Sequence, residues 1–359
     1  MDNPKPLAVL EAITPSRIGG AEVYVAQICE KLAHLGAHVD LFCPSGRPFV
    51  DYADRRGIGS VNWKTHGKFD PITVLRLARL IKKNRIDVIH THLSTASLLG
   101  AFAAKLAGVP SVAHVHGMNS ATCFKHSGLV IAVSEAVKKH LCAQGLDGSK
   151  IRVLHNGIDL TRFQPISKTE ARSCLSYDSD AQIFGVFGRL SPEKGQKFAI
   201  EAMSIVIKDY PNARLILAGD GKDRADLESF AQTLGIAENV HFEGFIADPS
   251  RMMSACDAVI VPSIKEGFGL AAVEAMALGR PVVATDAGGL PEIIVNGETG
   301  FIVPTRDPQA IADLIKHLLE DKALAESMGK RGRERAEDCF DLDKQMKLLL
   351  SILRKVAGR

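Results

Sequence analysis

Two glutamates eight positions apart, in the run Glu266-Gly-Phe-Gly-Leu-Ala-Ala-Val-Glu274, carry the strongest chemical signal in the sequence. The run follows an apolar strand candidate, Ala258–Pro262, and opens a helix candidate, Leu270–Leu278. In open α/β sheets, ligands sit beyond the carboxyl ends of strands. Gly267 and Gly269 flank Phe268 and let the backbone come close to a bound molecule. The N–H groups at the head of the helix, around Gly269 and Leu270, make an anion site. Eight positions turn about 800° on a helix, roughly 80° past two full turns. A helix that starts after Gly269 therefore lets both carboxylates border one ligand. Carboxylates accept hydrogen bonds from sugar hydroxyls, and one carboxylate can take both hydroxyls of a ribose diol.

A second constellation, Gly188-Arg189-Leu-Ser-Pro-Glu193-Lys194-Gly195, follows the strand candidate Ile183–Phe187. Arginine binds phosphate through two parallel N–H donors and lysine adds a point charge. Together Arg189 and Lys194 can neutralise a diphosphate leaving group without a metal ion. Two Asp-x-Asp pairs, Asp178/Asp180 and Asp341/Asp343, lie away from strand ends and read as solvated turn or cap carboxylates. A third loop, Thr14-Pro-Ser-Arg-Ile-Gly19-Gly20-Ala-Glu22, joins the first strand to the first helix and suits a phosphate or sugar near a helix N-terminus. It lacks the G-x-G-x-x-G dinucleotide fingerprint.

Histidines form the fourth set. His90 alternates with His92, and His114 with His116, so each pair points to one face of a strand. No acidic or cysteine ligand lies near them in sequence, which argues against a metal. His116, followed by Gly117, is the candidate for substrate contact, while His92 and His114 read as packed or hydrogen-bonded core residues. The turn-rich loop Asp286-Ala-Gly288-Gly289 follows a strand and is a further candidate for ligand approach. Asn296-Gly297-Glu298-Thr299-Gly300 reads as structural.

The elements that must position these residues alternate along the chain. Strand candidates in the first half are Leu7–Ile13, His38–Phe42, Val88–His92, Val112–His116, Leu129–Val133 and Ile151–Leu154, with amphipathic helices between them. The second half repeats the pattern from Ile183 to Leu319. Strand–helix–strand alternation predicts parallel sheets covered by helices on both faces. A cluster of Pro, Ser and charged residues between Asp159 and Asp180 marks the junction. This gives a first domain over 1–165, a second over 166–342, and a terminal helix, 343–359, expected to return to the first domain. The length of 359 residues suits two domains. A net charge of +3 is too mild for a nucleic-acid partner. Seven scattered cysteines without Cys-x-x-Cys spacing indicate neither a zinc site nor a disulfide framework. The polar start, Met1 to Pro6, is not a signal peptide, and no run approaches the length of a membrane span. The expected location is the cytoplasm. Arg76, Arg79, Lys82, Lys83 and Arg85 make one helix basic, which is usually a solvated face and would also suit contact with an anionic membrane.

In combination, these residues resemble the retaining GT-B glycosyltransferases of family 4. The resemblance spans nearly the whole chain. It rests on the Gly19-Gly20 loop, Asp87-Val-Ile-His90-Thr-His92, Val133-Ser134, Asn156-Gly157-Ile158-Asp159, Gly188-Arg189 with Lys194, Gly219-Asp220-Gly221 and the spaced pair Glu266 and Glu274. It implies two doubly wound Rossmann-like domains facing a cleft, and transfer of a hexosyl unit from a UDP- or GDP-sugar to a glycan, glycolipid or small-molecule hydroxyl. Arg189 and Lys194 would hold the diphosphate, Glu266 the hexose and Glu274 the ribose. The N–H groups of Gly269 and Leu270 would cap the distal phosphate. Gly20 would approach the donor phosphates, His116 the sugar and acceptor, and Phe245 with Ile246 the base. No cofactor and no metal are implied, and stereochemical retention comes from the resemblance alone. The competing readings are a nucleotide-sugar epimerase on the same fold and a non-catalytic sugar-nucleotide-binding protein.

Overall fold

The computed structural model describes residues 5–359 except Ser176 and Ser179. Met1–Pro4 of the polar start and those two linker serines lie outside the described residues. Among the described residues, thirteen strands form two parallel sheets. The first contains β1 (Ala8–Ile13), β2 (His38–Phe42), β3 (Ser60–Val61), β4 (Val88–His92), β5 (Ser111–Val115), β6 (Leu129–Ala132) and β7 (Ile151–Val153), in the order β3-β2-β1-β4-β5-β6-β7. The second contains β8 (Ile183–Phe187), β9 (Arg214–Ala218), β10 (Val240–Gly244), β11 (Ala258–Val261), β12 (Val282–Thr285) and β13 (Phe301–Val303), in the order β10-β9-β8-β11-β12-β13. Both orders reverse direction once, between β1 and β4 and between β8 and β11. These are the switch points where doubly wound sheets open a crevice at the strands' carboxyl ends.

Every residue of β1, β4, β5, β11 and β12 is buried, as expected of strands covered on both faces. Burying a Val, Leu or Ile side chain contributes about 1.5–3 kcal/mol. The chain divides into two compact units, residues 1–157 with 343–359, and residues 158–342. The sequence places the junction at 165, in the serine- and proline-rich stretch. In the structure Ile158 already belongs to the second unit, because its N–H donates to Phe340 O (2.8 Å) and its carbonyl accepts from Leu342 N–H (3.0 Å). The stretch read as linker holds a helix, Lys168–Cys174, capped by the Ser167 side chain. It is tied down by Arg172, which is buried and donates to Ala255 O at 3.0 Å and to Asp257 at 2.8 Å. The terminal helix, Leu342–Val356, buries Met346, Leu349, Leu350 and Leu353 at helical spacing. Within the first unit it is anchored by Asp343 to Lys31 (2.6 Å), and Arg359 beyond it pairs with Asp87 (2.6 Å).

Two strands and four helices lie outside the pattern read from the sequence, the shortest helix being the single turn Leu290–Ile293. β3 is two residues long and β13 three, too short for period-two alternation to show. The helix Lys322–Cys339 is so rich in charge that its buried stripe consists of Met328 and the small residues Gly329, Gly332 and Ala336. Pro48–Arg55 and Lys168–Cys174 are two turns each.

Candidate functional site

In the second unit the loops after four neighbouring strands are laced together by backbone. After β8, Gly188 N–H donates to Ala218 O (2.9 Å) and Leu190 N–H to Asp220 O (3.0 Å), while Gly219 N–H donates to Gly244 O (2.7 Å). A Cβ on Gly219 would fall 1.9 Å from the Gly188 carbonyl, so a glycine is required there. Across the switch point, Ile264 and Lys265 donate their N–H groups to Glu193 O at 2.8 and 3.1 Å. The 3-10 turn Pro192–Lys194 then aims its lysine at the loop after β11.

There Lys194 Nζ donates to Glu266 Oε2 at 2.7 Å, across 72 residues of sequence. The same oxygen accepts from Ser263 Oγ (3.0 Å), and the Ser263 carbonyl accepts from Thr285 Oγ1 (2.6 Å). Arg189 pairs with Glu193, and Gln196 Nε2 holds the Arg189 carbonyl at 2.8 Å. Each cation thus stands beside a carboxylate that a diphosphate can replace. The helix Leu270–Ala277 begins after Gly269, whose φ of 116° lies in the region that favours glycine. A Cβ at Gly269 would also meet Leu290 Cδ2 at 2.6 Å. Gly267 and Phe268 are buried, Leu270 is half-buried, and Phe268 packs edge-on against Phe340 at 5.7 Å. Glu274 is in this helix. Burial pushes its carboxyl up to about 7, with Arg162 opposing the shift and Asp248 adding to it. Beyond β10, Phe245 is 74% exposed and Ile246 half-buried.

The structure therefore gathers Arg189, Lys194, Gly219, Glu266 and Gly269 at the carboxyl ends of β8, β9 and β11. Ser263, Gln196 and Thr285, which hold that set in place, carry no motif and were not singled out by sequence. The Gly288-Gly289 loop, read as a further candidate for ligand approach, packs on this turn: a Cβ at Gly289 would lie 2.7 Å from Gly267 O. Neither Asp-x-Asp pair lies in this loop set. Asp178 is 3.7 Å from Arg214 and largely exposed, and Asp343 pairs with Lys31.

In the first unit, the helix Gly20–His34 begins after Gly19. Its N-terminus already holds an anion, since Glu22 Oε2 accepts the Gly19 N–H at 3.0 Å. Burial raises the Glu22 carboxyl above its usual range, against two backbone hydrogen bonds that lower it. The histidines differ from the sequence expectation in two respects, an acidic partner and the place of His116. An acidic partner is present, Glu11, from 79 residues away on β1. Glu11 sits opposite His90 in the β1–β4 register, and His92 opposite His114 in the β4–β5 register. Side chains two apart share a face, so Glu11, His90, His92 and His114 converge. Glu11 Oε1 lies 3.0 Å from His90 Nδ1, and Oε2 lies 2.7 Å from His92 Nε2. His116 follows β5 rather than ending it, and its Nε2 is 3.0 Å from His92 Nδ1. The His114 and His116 rings stack at 4.5 Å, and Tyr24 meets both edge-on at 6.2 Å. Ring nitrogens of His90, His92 and His114 lie within 4.8 Å of one another, which gives this cluster the capacity to hold a metal ion. A glutamate inside the apolar run Ala8–Ile13 was the available signal for Glu11.

Residues 167–335 match the family described as glycosyl transferases group 1, and residues 18–162 match glycosyltransferase family 4. This chain belongs to the group 1, family 4 glycosyltransferases. Among its relatives, the Escherichia coli UDP-Gal:alpha-D-GlcNAc-diphosphoundecaprenol alpha-1,3-galactosyltransferase is 26% identical over 92% of each chain. A D-inositol 3-phosphate glycosyltransferase from Acidothermus cellulolyticus is 29% identical over 94% of this chain and 85% of the relative. Among solved structures, HepE from Anabaena in complex with UDP superposes with a TM-score of 0.88, 26% identity, and coverage of 97% of this chain and 100% of the other. The fold of this glycosyltransferase is accordingly GT-B.

Proposed function

We propose that this glycosyltransferase is a metal-independent, retaining hexosyltransferase that uses a nucleotide-diphosphate sugar, with UDP the favoured nucleotide and GDP the alternative. The observation that carries this reading is the pair of cations, Arg189 and Lys194, set at the switch point beside exchangeable carboxylates. The HepE structures with UDP and with UDP-glucose support a uridine nucleotide. A diphosphate entering this site takes over Arg189 and Lys194. Glu266, released from Lys194, then accepts hydroxyls of the hexose, and Glu274 accepts the ribose diol. The N–H groups of Gly269 and Leu270 cap the distal phosphate, and the backbone at Phe245 and Ile246 receives the base. In the first unit, Gly20 is assigned a phosphate contact and His116 a sugar contact.

In the reaction, the bond from the anomeric carbon to the phosphate oxygen breaks while a bond to the acceptor oxygen forms on the same face. The acceptor proton passes to the departing phosphate oxygen. Negative charge grows on the diphosphate, where preorganised donors lower the barrier. The acceptor is a glycan, a glycolipid or a small hydroxyl compound. Proton NMR of the new bond is expected to show the anomeric configuration of the donor, with undiminished turnover in excess EDTA. An inverted product removes retention, and loss of activity in EDTA that divalent cations restore removes metal independence.

The same reading places the enzyme in the cytoplasm, touching an anionic membrane from that side. No helix among the described residues is long and apolar enough to cross a membrane. On the helix Pro71–Lys83, Ile72 (57% exposed) and Leu75 (50%) stand beside Arg76, Arg79, Lys82 and Lys83, with Phe69 (87%) just before it. Exposed apolar side chains flanked by cations suit an interfacial contact. Flotation with vesicles containing anionic lipid is expected, and flotation equal to that with neutral vesicles refutes the contact.

A further inference from the structure

The buried cluster of the first unit has a proton order that its geometry dictates. Glu11, His90 and His92 have no exposed surface. A carboxylate only accepts hydrogen bonds, and a neutral imidazole carries one N–H and one lone pair. Burial, reinforced by the neighbouring rings His90 and His116, keeps His92 neutral. Burial, with His90 adding and Glu11 opposing, lowers His116 to about 3. The single proton of His92 therefore sits on Nε2, facing Glu11 Oε2 at 2.7 Å. Its Nδ1 is left as a lone pair, so the contact at 3.0 Å requires His116 Nε2 to be the donor. The lone pair of His116 then falls on Nδ1, which is buried without a hydrogen-bond partner among the described residues. His116 lies just beyond the carboxyl end of β5, where open sheets bind ligands.

We propose that Glu11 and His92 are positioning residues, forming a relay that locks His116 in its Nε2–H tautomer and leaves Nδ1 as an acceptor for a sugar hydroxyl. The acceptor role rests on the transferase reading above, whereas the tautomer does not. His90 completes the lock by occupying the second Glu11 oxygen at 3.0 Å, which keeps the carboxylate from turning. Tyr24 closes one side. Its ring meets His116 edge-on, and its hydroxyl accepts the Gly157 N–H at 3.1 Å.

The test is ¹⁵N NMR of the full chain labelled at histidine, with the His116 signals assigned by their loss in His116→Asn. An unprotonated Nδ1 and a protonated Nε2 are expected on His116 at pH 7.5. The reverse tautomer, or an even mixture, overturns the relay whether or not the enzyme is active. So does a stoichiometric metal ion that copurifies and whose chelation changes the ring signals, since three of the rings would then serve as its ligands. In His92→Phe, which keeps a ring and removes both nitrogens, His116 is expected to populate both tautomers. Its kcat should fall roughly tenfold while UDP affinity stays within about twofold. Unchanged kcat with a mixed tautomer overturns the acceptor role of Nδ1. Wild-type protein that shows the locked tautomer but binds no nucleotide overturns the transferase reading and leaves the relay standing. If His92→Phe does not fold, the wild-type tautomer decides.

Discussion

At the first switch point the strands themselves carry the polar groups, Glu11 on β1 with His90 and His92 on β4. At the second, β8 and β11 are apolar throughout, and the chemistry lies in the loops after them. One strand order thus serves two kinds of site. Groups on a strand are sealed between layers, so the histidines persist as a network hydrogen-bonded around one buried carboxylate. On the loops, Arg189 pairs with Glu193 and Lys194 with Glu266, and all but the buried Glu266 keep partial solvent. The cost of desolvating charge decides between the two forms.

The contrast makes opposite predictions for acid. Burial holds His92, His114 and His116 below their ordinary value, so the unfolded chain binds more protons than the folded one once pH falls below about 6.5. Stability of the first unit is then lost at a limiting rate of roughly 4 kcal/mol per pH unit, from three groups at about 1.4 kcal/mol each. Glu11, His90 and Tyr24 are the other titratable groups facing these rings. The sole tryptophan, Trp63, lies in the first unit and reports its unfolding by fluorescence. A denaturation midpoint that is flat from pH 7.5 to 5.5 breaks the comparison.

In the second unit the largest effects fall on activity rather than folding. Lys194→Ala and Glu266→Ala are each expected to cut transfer a hundredfold or more, about 3–4 kcal/mol of barrier, with an unchanged melting curve. Near-normal turnover by well-folded Lys194→Ala would remove this loop set from the reaction.

The smallest effect belongs to Glu274. With a carboxyl near 7, its ionised form is depleted as pH falls, so the donor KM is expected to rise roughly tenfold between pH 8 and pH 6. Glu274→Gln should flatten that profile. Because its folded pKa is raised, this residue's contribution to stability declines as pH rises through 4.5 to 7, opposite in sign to the histidines. A donor KM independent of pH in the wild type would detach Glu274 from the ribose.

Alternation of apolar runs with amphipathic segments determined the layered α/β fold. Several strands, among them His38–Phe42, Val88–His92, Ile183–Phe187 and Arg214–Ala218, fall where the pattern puts them. Local signals reach that far because a buried parallel strand is a short apolar run and its covering helix has a 3.6-residue period. The loop motifs around Arg189, Lys194, Glu266 and Glu274 were legible too, since glycines at a strand-to-helix turn are local features. The partners of those residues were not. Lys194 meets Glu266 across 72 residues, His92 meets Glu11 across 81, and Ser263 and Thr285 orient the site without any motif. Sheet order decides which strands become neighbours, and no single segment encodes it. Only the folded sheet, by setting β4 beside β1, gave the histidines a buried carboxylate and the order of their protons.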